Sequence, residues 1–273
     1  MNYHHAFHAG NHADVLKHLT LVFCLGALRR KDTPFAVLDT HAGAGVYDLQ
    51  SDEARRSPEW KTGIGPLWDW NDAPKPVRAY IDAVRAFNTE DVLRFYPGSP
   101  ALIQKALRAD DVLHACELHP DDAALLRREL RHASNLRIHE RDGWEALNGL
   151  LPPAQKRGLV LIDPPYEEPD ELQRAARALG PALKRFGHGV FVWWRPLKSE
   201  SALARADDEA KTQGAKQILR ADLWIDTPAP EGKLTGSSLL VINPPFGLKE
   251  ALTEALPALA RRLSEGKSGW LLR

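Results

Sequence analysis

Short apolar runs alternate with longer amphipathic stretches along the 273 residues of the chain. Seven apolar runs read as strands: residues 35–39, 111–118, 135–140, 158–163, 189–194, 218–225 and 237–243. Between most of them lie segments with helical spacing and exposed charge, at 121–132, 169–186 and 199–213, and Ser99 is placed to cap a helix over 101–108. Strands separated by crossover helices predict a parallel, doubly wound α/β sheet. Only 226–236 reads as a loop between two strands, so the sixth and seventh strands are expected to pair antiparallel. The expected architecture is a seven-stranded, mostly parallel sheet with one reversed strand at an edge.

One interval is too long for a simple crossover. Residues 46–98 hold Trp60, Trp68 and Trp70, a break at Pro74 and Pro76, and a helical stretch at 77–87. They predict a small helical insertion lying over the carboxyl ends of the strands. The chain is therefore read as a single domain over 1–273, with this insertion and an N-terminal arm and helix over 1–31. Val15, Leu19, Val22 and Phe23 would set that helix against the sheet.

Composition narrows the classes. With 44% hydrophobic and 26% charged residues the chain is ordinary globular material. Thirty-six basic residues balance thirty-six acidic ones, which excludes a polycation or an acidic tail but leaves nucleic acid open. Cys24 and Cys116 lie far apart and form no C-x-x-C spacing, so reduced thiols are expected rather than zinc or disulfides. The longest apolar run, 19–28, ends in Arg29-Arg30-Lys31, is too short to span a bilayer and has no cleavage site after it, so a cytoplasmic protein is expected.

His4, His5, His8, His12 and His18 crowd the N-terminus. No carboxylate or cysteine cluster completes a metal site around them, and none is expected. Lys17, Arg29, Arg30 and Lys31 outnumber Asp14 there, which suggests a basic arm for nucleic acid and a surface positive around the arm and the pocket mouth.

The candidate chemistry lies after the strands. Asp39-Thr40-His41-Ala42-Gly43-Ala44-Gly45 supplies glycines that let a ligand approach the backbone. It is not a dinucleotide fingerprint, since the third glycine would fall on Asp48, and a purely structural turn is the competing reading. Glu117 ends the second strand, where an acid accepts hydrogen bonds from both hydroxyls of a ribose. Arg141-Asp142-Gly143 follows the third and offers a carboxylate to an adenine amino group. Together they outline a pocket for an adenosine-bearing ligand, without saying which.

Asp163-Pro164-Pro165-Tyr166, after the fourth strand, discriminates further. The exocyclic amine of adenine is a poor nucleophile because its lone pair is delocalised into the ring. The Asp163 carboxylate and the Pro164 carbonyl are two acceptors that a proline-locked turn can aim at one NH2 group. They favour a pyramidal nitrogen whose lone pair faces a methyl donor, and Tyr166 offers a ring face to a base drawn from its stack. A carboxylate of ordinary pKa ~3.9 is too weak a base for a neutral arylamine, so Asp163 is expected to orient the nitrogen and then receive or relay the product's proton. Asn243-Pro244-Pro245-Phe246 repeats the pattern after the last strand. Asp163 is preferred because its strand lies beside the first, where the glycines sit; Asn243 is read as a strand-ending turn. The same chemistry would serve DNA adenine or a protein glutamine amide, and a non-catalytic nucleic-acid-binding protein is a third reading.

Phe7-His8-Ala9-Gly10-Asn11-His12-Ala13-Asp14-Val15-Leu16-Lys17-His18, with the 39–45 motif, Tyr96-Pro97-Gly98-Ser99-Pro100, Glu117-Leu118-His119-Pro120 and Ile162-Asp163-Pro164-Pro165-Tyr166, closely resembles the RlmJ family of bacterial 23S ribosomal RNA adenine-N6 methyltransferases. The resemblance covers essentially the whole chain. It implies a Rossmann-like class I methyltransferase fold and a monomeric, S-adenosylmethionine-dependent enzyme. By resemblance the substrate is adenine 2030 of 23S rRNA, in protein-free RNA or an early assembly intermediate. It implies donor contacts from His18, His41, Ser99, Glu117, Asp142 and Gly143, with Lys17 nearby, catalysis by Asp163, and RNA contact from Tyr3. With the residues read directly, the expected cofactor set is Lys17, His18, Asp39, His41, Gly43, Ser99, Glu117, Asp142 and Gly143. The expected catalytic set is Asp163, Pro164 and Tyr166, and the expected RNA contacts are Tyr3, His4 and Tyr166. Tyr3-His4-His5 departs from the family's form, which carries an arginine before its first histidine.

Overall fold

A computed structural model describes residues 4–89, 91–168, 170–229 and 233–273. A single 3-10 turn, His5–Phe7, leads into α1 (His12–Arg29), which starts where Asn11 Oδ1 accepts from the Ala13 and Asp14 amides at 2.9 and 3.1 Å. β1 (Ala36–Asp39) is followed by β2 (Val46–Asp48), α2 (Asp52–Arg56), α3 (Gly65–Trp68), α4 (Lys75–Arg85) and β3 (Phe95–Pro97). Regular alternation then runs through α5 (Ser99–Ala106), β4 (Val112–Cys116), α6 (Pro120–Glu129), β5 (Leu136–His139), α7 (Gly143–Gly149), β6 (Gly158–Ile162), α8 (Glu171–Arg185), β7 (Val190–Pro196), α9 (Glu200–Thr212) and β8 (Ile218–Trp224). The chain ends with β9 (Gly236–Ile242), α10 (Leu248–Arg262) and β10 (Gly269–Leu272).

All seven expected strands are present, in an eight-stranded sheet of order β10-β8-β9-β7-β6-β1-β4-β5. The five strands β5, β4, β1, β6 and β7 are parallel, which gathers their carboxyl ends along one rim. The reversed strand is not at an edge. The crossover through α9 sets β8 one place beyond β7, and β9 folds back into the gap, antiparallel to both. β10, whose four residues carry too little pattern to read as a strand, pairs antiparallel along β8 and takes the edge. The helix expected at 101–108 begins two residues sooner, with Gly98 rather than Ser99 at the capping position.

Two cores follow from the alternation of strand side chains. Val37, Leu159, Leu161, Val192, Leu239 and Val241 face α1, α5 and α10. Leu38, Val160, Ile162, Phe191, Trp193 and Leu240 face α7, α8 and α9. Val15 and Leu19 bury fully in the first core, while Val22 and Phe23 are half-buried.

Within residues 46–98, β2 and β3 pair antiparallel and α4 packs on α1 and α10, over one face of the sheet. Tyr47, Gly98 and the turn Glu59–Thr62 meet the strand-end side. There Glu59 accepts from Asn11 Nδ2 at 2.9 Å and lies 3.0 Å from His8 Nδ1. Among the described residues, no helix is long and apolar enough to cross a membrane, and both cysteines are buried and free.

Candidate active site

The rim of parallel strand ends and the first turns of α1 enclose a cavity of about 830 Å³. The ends of β1, β4 and β5 supply one side. Gly43 has φ +64°, and a Cβ there would fall 2.3 Å from the Tyr47 hydroxyl, so only glycine fits the turn. Its amide donates to Glu117 Oε2 at 2.8 Å, and the His119 amide donates to Oε1 at 2.8 Å. Burial pushes the Glu117 carboxyl up and these two amides pull it back. Both oxygens are oriented by backbone and each keeps a lone pair for a ligand hydroxyl.

Asp142 caps α7, accepting from the Trp144 amide at 2.6 Å. A Cβ on Gly143 would lie 2.2 Å from the Thr40 carbonyl, so the turn after β5 rests directly on the end of β1. His41 meets the Trp144 ring edge-on at 5.4 Å, with Nδ1 2.8 Å from Thr40 Oγ1. Burial drops its pKa to about 4 and keeps the imidazole neutral. His18 stacks on Tyr96, its Nδ1 2.7 Å from that hydroxyl, and burial drops its pKa to about 3. Its Nε2 is buried and has no hydrogen-bond partner among the described residues, the Asp14 carboxylate standing 3.9 Å away. An imidazole nitrogen without a hydrogen bond, on a residue lining a cavity that also holds an oriented carboxylate, is what a polar, ribose-bearing ligand would satisfy.

Asp163 and its neighbours stand between the two sides, because β6 lies between β1 and β7. Lys17 Nζ donates to Asp163 Oδ2 and lies 2.8 Å from Asp14 Oδ1. Lys17 is 4% exposed. Burial alone would lower its pKa, but the flanking carboxylates of Asp14 and Asp163 more than offset that and hold it above the usual lysine value. Asp14 also accepts from the Gly10 amide at 2.8 Å and lies 3.0 Å from His5 Nε2. Burial acts to raise it, yet Lys17, His5 and His18 hold it well below the usual carboxylate range. The Tyr166 hydroxyl accepts from Trp193 Nε1 and donates to the Trp194 carbonyl, both at 2.7 Å, and burial holds its pKa well above the ordinary range. It is pinned as a ring in the wall. Trp194, Pro196, Lys198 and Lys233 continue the lining beyond it.

Several expected positions differ. Asp39 is fully buried and does not line the cavity; it accepts from Ser99 Oγ at 2.6 Å and so acts through Ser99, which does. Burial raises its pKa to about 7, opposed by the Ser99 hydrogen bond. Lys17, expected beside the donor, is spent between Asp14 and Asp163. His4 is not in the lining and sits edge-on to His119 at 5.1 Å. Tyr3 lies outside the described residues.

The basic arm does not form. Arg29, Arg30 and Lys31 stand at the far end of α1, about 27 Å from its start at 1.5 Å per residue, and the cavity lining mixes Lys198, Lys233 and Arg174 with Glu59, Glu167, Glu168 and Glu171. The expected positive mouth is contradicted, because acidic side chains outnumber basic ones in the lining, which also holds Asp122, Asp142 and Asp163 beside Arg141. Asn243 is a turn residue, its Nδ2 donating to the Gly187 and Gly189 carbonyls at 3.1 and 2.8 Å. No metal-ligand cluster occurs among the described residues. Asp14 and the Trp193-Trp194 pair were not singled out from sequence. The spacing of Asp14, Lys17 and His18 on one helix face was the available signal for the first.

Comparison with known proteins narrows this further. The chain is 40% identical over 269 residues to the ribosomal RNA large subunit methyltransferase J of Escherichia coli (strain K12), covering 98% of this chain and 96% of the relative. It is 38% identical over 272 residues to the protein of the same name in Haemophilus influenzae, covering 99% and 97%. The crystal structure of protein LPL1258 from Legionella pneumophila superposes with a TM-score of 0.90 at 34% identity, covering 97% of this chain and 98% of that one. Residues 32–273 match the model of the family described as ribosomal RNA large subunit methyltransferase D, RlmJ. With nearly its full length matched, the chain belongs to that family.

Proposed function

We propose that the protein transfers a methyl group from S-adenosylmethionine to the exocyclic N6 amine of one adenine in 23S ribosomal RNA. The observation that carries this reading is the Asp163 carboxylate, anchored by buried Lys17 at the seam between the glycine-and-acid side of the cavity and the aromatic side. The family implies a methyl donor of the S-adenosylmethionine type. Glu117 would take its ribose hydroxyls, Asp142 its adenine amine, and the His18 and His41 imidazoles, Ser99 and the Gly43 turn the remainder. When bound, that group supplies a methyl carbon on a positively charged sulfur.

The rest is the work of this chain. Tyr166 holds a ring against the extruded base, and with both hydrogen-bonding sites of its hydroxyl occupied it takes no part in proton transfer. Lys17 occupies Asp163 Oδ2 and leaves Oδ1 and the Pro164 carbonyl to accept the two N6 protons. That arrangement turns the nitrogen lone pair toward the methyl carbon. On accepting the methyl group in place of the donor sulfur the nitrogen would become cationic, and its surplus proton would leave through the Asp163 carboxylate to solvent. The reading includes a monomeric enzyme. A cytoplasmic site of action and a substrate that is protein-free or only partly assembled complete the reading. The test is transfer of labelled methyl from the donor to unmodified 23S RNA, with mass-spectrometric mapping of the product. N6-methyladenine at a single position is expected, and no label in adenine overturns it.

A further inference from the structure

The second Pro-Pro-aromatic sequence ends differently from the first. Tyr166 is locked into the cavity wall, whereas Phe246 is 89% exposed, the most exposed large hydrophobic side chain among the described residues. It sits at the foot of the molecule, where β9 ends and the parallel strands begin. Arg30 Nη1 reaches the Phe246 carbonyl at 3.4 Å while its guanidinium lies 5.8 Å over the Phe23 ring. Arg29, Arg30 and Lys31 are all exposed, and none pairs with a carboxylate among the described residues. Arg108 and Arg157 stand behind them, donating to the Thr33 carbonyl at 3.2 and 2.6 Å, and only Arg108 has an acid partner, Asp111.

Part of this charge follows from the fold. Crossover helices run opposite to the strands, so bases that favour helix C-termini collect at the foot, as Arg29, Lys105, Lys184, Arg185 and Lys211 do. Arg30 caps α1 and shares that account, but the dipole gives no reason for Lys31 beyond the cap or for a bare Phe246 ring on the turn that Arg30 meets. A protein partner would call for a wider apolar core, and here Pro244 and Pro245 are half-buried, leaving one exposed ring on a turn whose backbone carbonyl Arg30 reaches. Cations for phosphates and an aromatic face for an unpaired base are the elements of a single-strand RNA contact.

We propose that Arg29, Arg30, Lys31 and Phe246 form a second RNA-binding surface, which holds a segment of the substrate RNA remote from the methylated base. It rests on the reading of the protein as an RNA methyltransferase. The test compares methyl transfer to whole unmodified 23S RNA with transfer to a short hairpin that carries the target adenine and cannot reach the foot. Phe246→Ala and the double variant Arg29→Glu/Lys31→Glu are each expected to raise KM for whole RNA by about tenfold with kcat unchanged, and to leave KM for the hairpin unchanged. Phe246→Trp should retain the parent KM, and the charge variant should flatten the salt dependence of binding by roughly one unit of slope per cation removed. Equal KM values for parent and variants on whole RNA, or equal losses on both RNAs, overturn the proposal. Failure of the unaltered protein to methylate either RNA would instead count against the methyltransferase reading.

Discussion

Lys17 and Asp163, 146 residues apart in the chain, form one ion pair, buried on the lysine side, between the first helix and the turn after β6. With Asp14 2.8 Å from the same ammonium, the pair fixes the orientation of a carboxylate that would otherwise rotate freely about its own side-chain bonds. Helix α1 thereby sets the geometry of a turn with which it shares no sequence neighbourhood.

Replacing Lys17 with methionine is expected to lower kcat by about a hundredfold, since misplacement of a reacting group by an ångström costs that much. Calorimetric titration should find donor affinity little changed. Two carboxylates lose their partner, so chemical denaturation should report a loss of about 3–5 kcal/mol. A variant with the parent's kcat would remove Lys17 from the mechanism.

Glu117→Ala and Asp163→Ala should separate binding from chemistry. The first removes an acceptor oriented by two amides and should weaken donor affinity by about 10- to 100-fold, the range for a hydrogen bond to a charged group. The second should abolish turnover while donor affinity stays within about threefold, as it removes no donor contact. Similar losses of affinity in both would contradict the roles given to them.

At Gly43 a methyl group meets the Tyr47 hydroxyl and a left-handed backbone at once. Gly43→Ala should therefore abolish measurable donor binding. Adding Tyr47→Phe should recover part of it, because the contact is relieved and the φ strain is not. Full recovery in the double variant would show that the backbone conformation is not limiting.

Tyr166→Phe keeps the ring and deletes the acceptor of Trp193 Nε1. Its expected signature is a stability loss of about 1–3 kcal/mol from the unpaired indole, with kcat reduced by no more than about tenfold, a smaller effect than loss of a general acid or base. Thermal melts and single-turnover rates measure the two effects. A phenylalanine variant as inactive as Tyr166→Ala would assign the hydroxyl a chemical role.

His18 and His41 titrate near 3 and 4, below the ordinary histidine value of 6.5, because burial disfavours their charged forms. The unfolded chain therefore takes up protons that the native protein does not. Their contribution to stability is complete above pH 6.5 and is lost as pH falls toward 4. Asp39, raised by burial to about 7, acts in the opposite sense, its contribution fading as pH climbs through that value. His41→Gln is expected to flatten the fall in Tm between pH 6.5 and 4; an unchanged slope would contradict the assignment.

The seven strands of the main sheet were legible because buried strands are dense runs of apolar residues bounded by turns. The place of the reversed strand was not: period identifies β9 as a strand, but which neighbours it joins depends on the length and hand of the α9 crossover. At the site, the residues whose chemistry is local, such as Glu117, Gly43 and Asp163, were found where sequence put them. What a residue's own motif does not show is its distant partner. The Asp39 motif does not show that Ser99 lies in front of its carboxylate, and the helix that suggests Lys17 beside the donor does not show that folding brings Asp163 to its ammonium.

The edge strand β10 gives the last residues of the chain a duty unconnected with catalysis. Through it β8 is paired along both sides, with the Arg220 and Arg273 backbones exchanging hydrogen bonds at 2.8 and 3.0 Å. Stripped of it, β8 would present an open row of amides and carbonyls, a template on which another chain can add a strand. Removal of this four-residue segment is therefore expected to expose a longer edge, the seven residues of β8, even with an intact active site.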